Sequence, residues 1–317
     1  MTLFGLIKMH MEKIKRGWLV NDTLTCIPGT KTFWHDLLDW IPNLEDKCNG
    51  HTSFPILASK IESEGQITPP DYIIRNATYF RRINLPVKTI SLLQDLSPDN
   101  PMQIDVCNNS DIVVYNSPYT KAHYEGKITS KSVMIPLGVD FNKFTPHNKS
   151  YAEELGVLPN SILFIGAANN HPKGFDIMLD IINNTDYNFC LVMKDGYQIN
   201  NPRVKVFNRI DHDLLVKVIN SCEQLVCTSR VETLHLAGVE AAACNLPLVT
   251  SNVGIYYNSE NGIWGRNVKT FNPQDFIQEI KFVKENLHTF SPRQHFLNLG
   301  LDIDSCKKNW LNLIDNL

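Results

Sequence analysis

The chain has 317 residues, enough for two domains of ordinary size. Hydrophobic residues make up 43% and charged residues 20%, a balance that excludes disordered and collagen-like classes. A formal net charge of -3 gives no global positive field for nucleic acid, and no run reaches the roughly 18 apolar residues of a membrane-spanning helix.

Residues 1–16 are basic and mildly amphipathic, with Lys8, His10, Glu12 and Lys13 interrupting the apolar positions. This reads as a packed surface helix without the unbroken apolar core of a signal peptide; weak peripheral membrane contact is the alternative. Short apolar runs then alternate with helix-like segments, the pattern of α/β architecture with parallel sheets. Gly17–Asn21 reads as a strand, followed by a turn at Pro28-Gly29 and a helix from Lys31 to Trp40. A loop-rich stretch over 43–70 holds one helix near Leu57–Glu64. Strands are expected at Asp71–Ile74, Lys88–Leu93 and Asp111–Asn116. Ser117-Pro118 then opens a short helix, because proline suits a first helical turn. Val133–Asp140 reads as a strand running into a turn, and the polar stretch Phe144–Ser150 as an interdomain linker.

A second α/β unit follows. Its expected strands are Ile162–Gly166, Phe189–Met193, Val204–Phe207, Gln224–Thr228 and Leu246–Thr250. Its expected helices are Gly174–Asn183, one capped by Asp211 and running to Ser221, one starting at Glu232, and 272–287. Residues 290–303 read as a crossing loop, and Asp304–Leu317 as an amphipathic helix whose Trp310, Leu311, Leu313 and Ile314 pack back on the N-terminal domain. The expected division is 1–146, 147–290 and a returning segment 291–317. Eight cysteines (Cys26, Cys48, Cys107, Cys190, Cys222, Cys227, Cys244 and Cys306) lack a C-x-x-C pair, and several lie inside apolar runs. They read as reduced, buried thiols of a cytoplasmic protein.

Two carboxylates, Glu232 and Glu240, stand eight positions apart at the start of an apolar, helix-forming run. With Glu232 at the helix start and Glu240 two turns in, both project to nearly the same side. A carboxylate grips a diol through two charge-assisted hydrogen bonds. Taken alone, the spacing equally fits a capping acid and an ordinary surface glutamate. The surroundings of Glu240, Leu236-Ala-Gly-Val-Glu240-Ala-Ala-Ala243, favour a partner or ligand, since a lone charge in an apolar segment is costly.

A second motif runs from Phe164 to Phe175. A strand ends in Gly166, a polar loop carries His171, and Pro172-Lys173-Gly174 opens a helix. Strand C-termini in open α/β sheets face the ligand crevice, and a lysine at a helix N-terminus suits phosphate. The plain alternative is an exposed lysine and histidine in an ordinary loop. Gly29, after the first strand, permits close backbone approach to a ligand, though a tight turn needs it equally. The amides of Ser251-Asn-Val-Gly254 are suited to a phosphate or sugar, or simply to a turn.

Together these segments resemble glycosyltransferase family 4. The resemblance rests on Asp111-Ile-Val-Val-Tyr-Asn-Ser-Pro-Tyr119, Ile135-Pro-Leu-Gly-Val-Asp140 with Phe144 and Pro146, Ile165-Gly166 through Lys173-Gly174, the pair Glu232 and Glu240, and Ala242-Ala-Cys-Asn-Leu-Pro-Leu-Val249. It implies a GT-B fold, two Rossmann-like domains facing each other across a cleft. It also implies retaining transfer of a sugar from a nucleoside diphosphate donor (UDP-, GDP- or ADP-sugar) to a hydroxyl-bearing acceptor such as a glycan or lipid. No permanent cofactor and no metal are implied. On this resemblance Glu232 meets the donor sugar and Lys173 the departing diphosphate, which makes them the expected catalytic residues. Glu240 meets the ribose hydroxyls, and Gly166, His171, Gly174, Thr233, Leu234, His235 and Gly29 complete the donor site. Trp34, Gln94 and Asp95 are expected on the acceptor side.

Three positions depart from the family pattern. Ala167 stands where a basic residue is usual, Thr233-Leu-His235 replaces a glycine-rich turn, and Gln94-Asp95 replaces a histidine. The departures keep two other readings open: a catalytically inactive nucleotide-sugar-binding protein or partner subunit, and a GT-B sugar epimerase.

Overall fold

The computed structural model describes residues 15–21, 33–47, 54–67, 69–78, 83, 85–147 and 151–317. The expected N-terminal helix, the Pro28-Gly29 turn, Cys26 and Cys48 lie outside the described residues. The chain divides into two compact units. The first comprises residues up to Asn116, Thr120–Ile135 and Lys307–Leu317; the second comprises Ser117–Tyr119 and Pro136–Cys306.

The first unit is built on a sheet of strands β1 (Gly17–Val20), β2 (Leu44–Asp46), β3 (Tyr72–Asn76), β4 (Lys88–Leu93), β5 (Ile112–Tyr115) and β6 (Lys131–Met134), in the order β2-β1-β3-β4-β5-β6. Every pairing is parallel. The central strands β1 and β3 are buried throughout, as parallel strands covered on both faces must be. The connecting helices are α1 (Phe33–Trp40), α2 (Phe54–Ile67), α3 (Pro101–Asn108) and α4 (Pro118–His123), the last belonging to this unit from Thr120. Asn100 caps α3 by accepting from the Met102 amide, and Pro101 occupies the first turn, where its missing N–H costs nothing.

The second unit repeats the plan with β7 (Ile162–Gly166), β8 (Phe189–Met193), β9 (Val204–Asn208), β10 (Gln224–Cys227), β11 (Leu248–Ser251) and β12 (Gly265–Val268). Their order is β12-β11-β10-β7-β8-β9, again parallel throughout. Its helices are α5 (Ala152–Leu155), α6 (Phe175–Asn183), α7 (His212–Ile219), α8 (Leu236–Ala243), α9 (Pro273–Glu285) and α10 (Pro292–Asn298). The strand period of two sorts the core onto both faces. Ile162, Phe164, Phe189 and Leu191 pack with Met178, Ile182, Phe276 and Ile280. Leu163, Cys190 and Leu225 pack with Val216, Val239 and Ala242.

A last helix, α11 (Ile303–Asp315), ends the chain. Its residues from Lys307 belong to the first unit, where Trp310 is fully buried with its ring 6.1 Å from that of Phe33. Lys15 Nζ donates to the carbonyl of Ile314 across 2.9 Å. The expected crossing loop over 290–303 is corrected: it contains α10, which Ser291-Pro292 opens and Gly300, at φ 69°, follows. The expected helix start at Glu232 is corrected too, since α8 begins at Leu236. Among the described residues no helix is long and apolar enough to cross a membrane. Cys107, Cys190, Cys222, Cys227, Cys244 and Cys306 are free thiols, all buried except the half-buried Cys222.

Candidate active site

A cavity of about 340 Å³ opens in the second unit where β7 and β8 end and α8 begins. Leu137, Gly166, Ala167, Asn170, Lys173, Lys194 and the run Glu232–Ala237 line it. The position follows from topology, because in a parallel sheet the C-terminal strand ends and the helix N-termini converge on one rim.

Two loops form most of the wall and are stitched together. Arg230 spans them, donating to both carboxylate oxygens of Asp176 at 2.8 and 2.6 Å and to the His171 carbonyl at 3.1 Å. Its backbone amide donates to the Pro172 carbonyl, and Thr228 Oγ1 to the Gly174 carbonyl, at 2.7 and 2.8 Å. Gly174 has φ 65°, and a Cβ there would meet the Thr228 carbonyl. The glycine therefore sets the loop rather than the cavity wall.

This framework brings Lys173 and Glu232 together. Lys173 Nζ donates to Glu232 Oε1 across 2.7 Å, and Ser229 Oγ donates to the same oxygen across 2.9 Å. Burial of Glu232 acts to raise its pKa, but the charges of His235 and Lys173 and the hydrogen bonds outweigh it and hold the carboxyl below its usual range. Lys194 adds a second cation to the wall, at the C-terminal end of β8, with its amide bonded to the Gly166 carbonyl at 3.0 Å. Lys194 was not singled out from the sequence. The signal lay in its place one residue beyond a strand beside β7, which is a crevice position.

His235 occupies the N-cap of α8 with φ 75° and ψ 63°, a left-handed conformation that costs a non-glycine residue of order 1 kcal/mol. Its side chain turns inward and is only 7% exposed. The ring lies 5.7 Å from that of Tyr256, with Nδ1 3.4 Å from the phenolic oxygen. A Cβ on Gly238 would collide with the imidazole, so the glycine one turn on makes the slot. His235 and Leu234 are both buried, at the cavity rim. Cys227, at the end of β10, lies beside His235. Burial acts to raise the thiol pKa and to lower that of His235, yet the mutual charge interaction dominates and moves the two in the opposite directions.

Glu240 stands apart from the cavity-lining residues, one helical turn beyond Leu236 on the same face of α8. It is half-buried and makes no hydrogen bond or ion pair among the described residues. Burial pushes its carboxyl up to about 7, against the smaller opposing effects of His235, Lys194 and Lys143. A carboxylate so placed is costly to ionise without a partner.

The remaining expected residues separate from this group. The His171 side chain is exposed and does not line the cavity. Gly29 lies outside the described residues. Trp34 is corrected as an acceptor contact: at 1% exposure it belongs to the first unit's core and offers no face to a ligand. Gln94 and Asp95 follow β4, where Gln94 is half-buried with Nε2 unpartnered and Asp95 is exposed. A group of Cys227, Glu232 and His235 has donor atoms all within 4.8 Å of one another, an arrangement able to hold a metal ion.

Residues 159–286 match the family model described as glycosyl transferases group 1. An uncharacterized glycosyltransferase of Methanocaldococcus jannaschii is 27% identical over 185 residues, covering 54% of this chain. That match spans 49% of the archaeal protein, about half its length. Among solved structures, a sucrose-phosphate synthase of Thermosynechococcus elongatus superposes with a TM-score of 0.75 at 13% identity, covering 95% of this chain and 99% of that one. HepE of Anabaena, solved with UDP, gives 0.74 at 17% identity over 95% of this chain and all of that one. HepE solved with UDP-glucose gives 0.72 at 16% identity, with the same coverage. These structural neighbours are GT-B glycosyltransferases, so this chain has the GT-B fold, and the match to the glycosyl transferases group 1 model lies within its second unit.

Proposed function

We propose that the chain is a retaining glycosyltransferase of family 4 type that takes its sugar from a nucleoside diphosphate donor and needs no metal for the chemistry. The observation that carries this reading is the Lys173–Glu232 pair, with Lys194 beside it, in one cavity of the group 1 domain. The donor diphosphate takes Lys173 and Lys194, and releases Glu232 to bind hydroxyls of the transferred sugar. Glu240 binds the ribose diol, and the Gly166–Ala167 backbone borders the phosphates. As the glycosidic bond breaks, negative charge gathers on the leaving diphosphate, where fixed cations lower the barrier more than they stabilise bound donor. The acceptor hydroxyl then attacks the face that the diphosphate vacates and passes its proton to the departing phosphate oxygen, so no protein nucleophile is needed.

HepE, which has been solved with UDP, with UDP-glucose, and with UDP and glucose, makes a uridine donor the first to try. Gln94 and Asp95 are proposed on the acceptor side. The absence of disulfides among the described cysteines suits a reducing, cytoplasmic compartment.

A panel of UDP-, GDP- and ADP-sugars, scored for donor hydrolysis and for transfer to sugar acceptors, tests the reading. Turnover with one donor, lost in Glu232→Gln, is expected. Ala167, which leaves a customary cation out, favours a second reading: binding without transfer. Tight nucleotide binding with no product from any donor would establish that reading and overturn the first.

A further inference from the structure

Cys227, Glu232 and His235 fall within nine consecutive residues, yet they reach one point from three different local structures. Cys227 ends β10, Glu232 lies in the following loop, and His235 caps α8. Their donor atoms all lie within 4.8 Å of one another. Zinc bonds sulfur at about 2.3 Å and nitrogen or oxygen at about 2.0–2.2 Å, so tetrahedral donors sit roughly 3.5 Å apart. The cluster therefore needs to contract by only about 1 Å, within reach of rotations of the long Glu232 side chain.

The charge also balances. One thiolate and one carboxylate offset a divalent cation, and a neutral imidazole completes three ligands, which removes the cost of a lone charge in this buried setting. The second shell is in place. Tyr256 Oη lies 3.4 Å from Nδ1 of His235, which leaves Nε2 as the nitrogen for a cation and fixes the ring by its other side. Tyr256 is itself held by stacking on Trp264, with centroids 5.2 Å apart. A histidine kept at a left-handed position, with a glycine opposite to admit its ring, is backbone strain of the kind found at functional sites. Glu232 and His235 both reach the cavity wall, so a fourth ligand position faces the cavity, where water can fill it.

We propose that Cys227, Glu232 and His235 form a site for a thiophilic divalent cation of zinc type, and that its occupation withdraws Glu232 from Lys173 and inhibits donor binding. The cation is then a regulator of the site and not a participant in transfer. The inhibitory half rests on the proposed role of Glu232; the metal site itself does not.

Zinc titrated into the 317-residue chain against a chromogenic chelator tests the site, and cobalt substitution supplies a spectroscopic signature. The expected result is one ion per chain and a thiolate-to-cobalt charge-transfer band in the wild type. Cys227→Ser should abolish the band and weaken zinc by at least about tenfold, while Cys222→Ala, a thiol outside the cluster, leaves both unchanged. His235→Asn, a residue that tolerates the left-handed backbone, should weaken zinc in the same way. Absence of the band in cooperatively folded wild type, or its persistence in Cys227→Ser, overturns the site. UDP affinity measured with and without zinc tests the regulation, and by linkage UDP must weaken zinc by the same factor. Zinc that binds through Cys227 yet leaves UDP affinity unchanged overturns the inhibition and keeps the site. Failure of UDP and the other nucleoside diphosphates to bind the metal-free chain overturns the donor reading, and the cobalt band still decides the metal site.

Discussion

Lys173 and Glu232 are 59 positions apart in sequence, and a 2.7 Å hydrogen bond joins them at the rim of the second sheet. On the proposed function donor binding opens this pair, so the two residues are coupled and their substitutions are not additive. Lys173→Ala and Glu232→Gln are each expected to lower kcat by about 10²–10³, as removal of a transition-state contact does. The double variant should lose much less than the product of the two. Steady-state kinetics on the four proteins, with folding checked by thermal unfolding, measures the coupling; strictly multiplicative losses would show independent roles.

On the proposed function Lys194 supplies the charge that Ala167 does not. Its ammonium lies on the same cavity wall as Lys173, but among the described residues it is in no ion pair. Lys194→Ala is expected to weaken a nucleoside diphosphate by roughly tenfold, the scale of one charge-assisted contact, and to leave the bare nucleoside unaffected. Calorimetry with UDP and uridine, at low and high salt, makes the comparison. Equal losses for both ligands would place Lys194 away from the phosphates.

The plan of two parallel sheets was legible because buried parallel strands are short apolar runs, as in Ile162–Gly166 and Phe189–Met193, which were read with these limits. β12 was not, since Gly265-Arg-Asn-Val268 carries no apolar run and is a strand through its pairing with β11. α10 opens at Ser291-Pro292, an ordinary helix start, inside the segment 290–303 whose sequence reads as a crossing loop. Lys173 and Glu232, which line the cavity, lie in motifs that the sequence itself singles out. The inward turn of His235 is not legible there, since it depends on a slot made by Gly238, Tyr256 and the end of β10, none of which a local window contains.

Glu240 links stability to pH in an unusual direction. Burial raises its carboxyl from 4.5 to about 7, so between these values the folded chain holds a proton that the unfolded chain has lost. Its contribution to stability is thus full below pH 4.5 and is lost as pH rises through about 7. Glu240→Gln removes the dependence. The ligand-free variant should be more stable than wild type at pH 8 by up to roughly 2–3 kcal/mol, and little different at pH 4. Nucleotide affinity should run the other way: in the wild type it rises with pH through about 7 as the carboxylate forms, and in Glu240→Gln it is weak and flat. Urea unfolding and UDP titration across this range check both halves. A variant that loses stability at pH 8 would make Glu240 a structural acid.

His235 separates backbone strain from side-chain packing. Both His235→Gly and His235→Ala remove the imidazole from its place against Tyr256, but only alanine keeps a Cβ at φ 75°. The glycine variant is therefore expected to be the more stable by about 1 kcal/mol, although glycine usually costs unfolded-state entropy. Chemical denaturation of the pair measures this difference. An alanine variant as stable as the glycine one would mean that the loop relaxes out of the left-handed conformation once the ring is gone.

Arg293 holds the far end of the helix that carries Glu240. Its guanidinium donates to the carbonyls of Phe141 at 3.0 Å, Phe144 at 2.9 Å, and Ala243. Ala243 is the last residue of α8, whose terminal carbonyls lack helical partners and carry the negative end of the helix dipole. Three carbonyls on two segments converge on one planar cation, and a lysine ammonium cannot match that fork. Arg293→Ala leaves those carbonyls unpaired in a partly buried place and should destabilise the chain by about 2–4 kcal/mol; Arg293→Lys should recover less than half of that. Because α8 is anchored here and presents Glu240 within one turn of the anchored end, both variants should also weaken UDP while leaving the pH midpoint of its binding near that of Glu240. Unfolding curves and pH-resolved UDP titrations test the two effects together, and a lysine variant equal to wild type in both would reduce Arg293 to a simple surface charge.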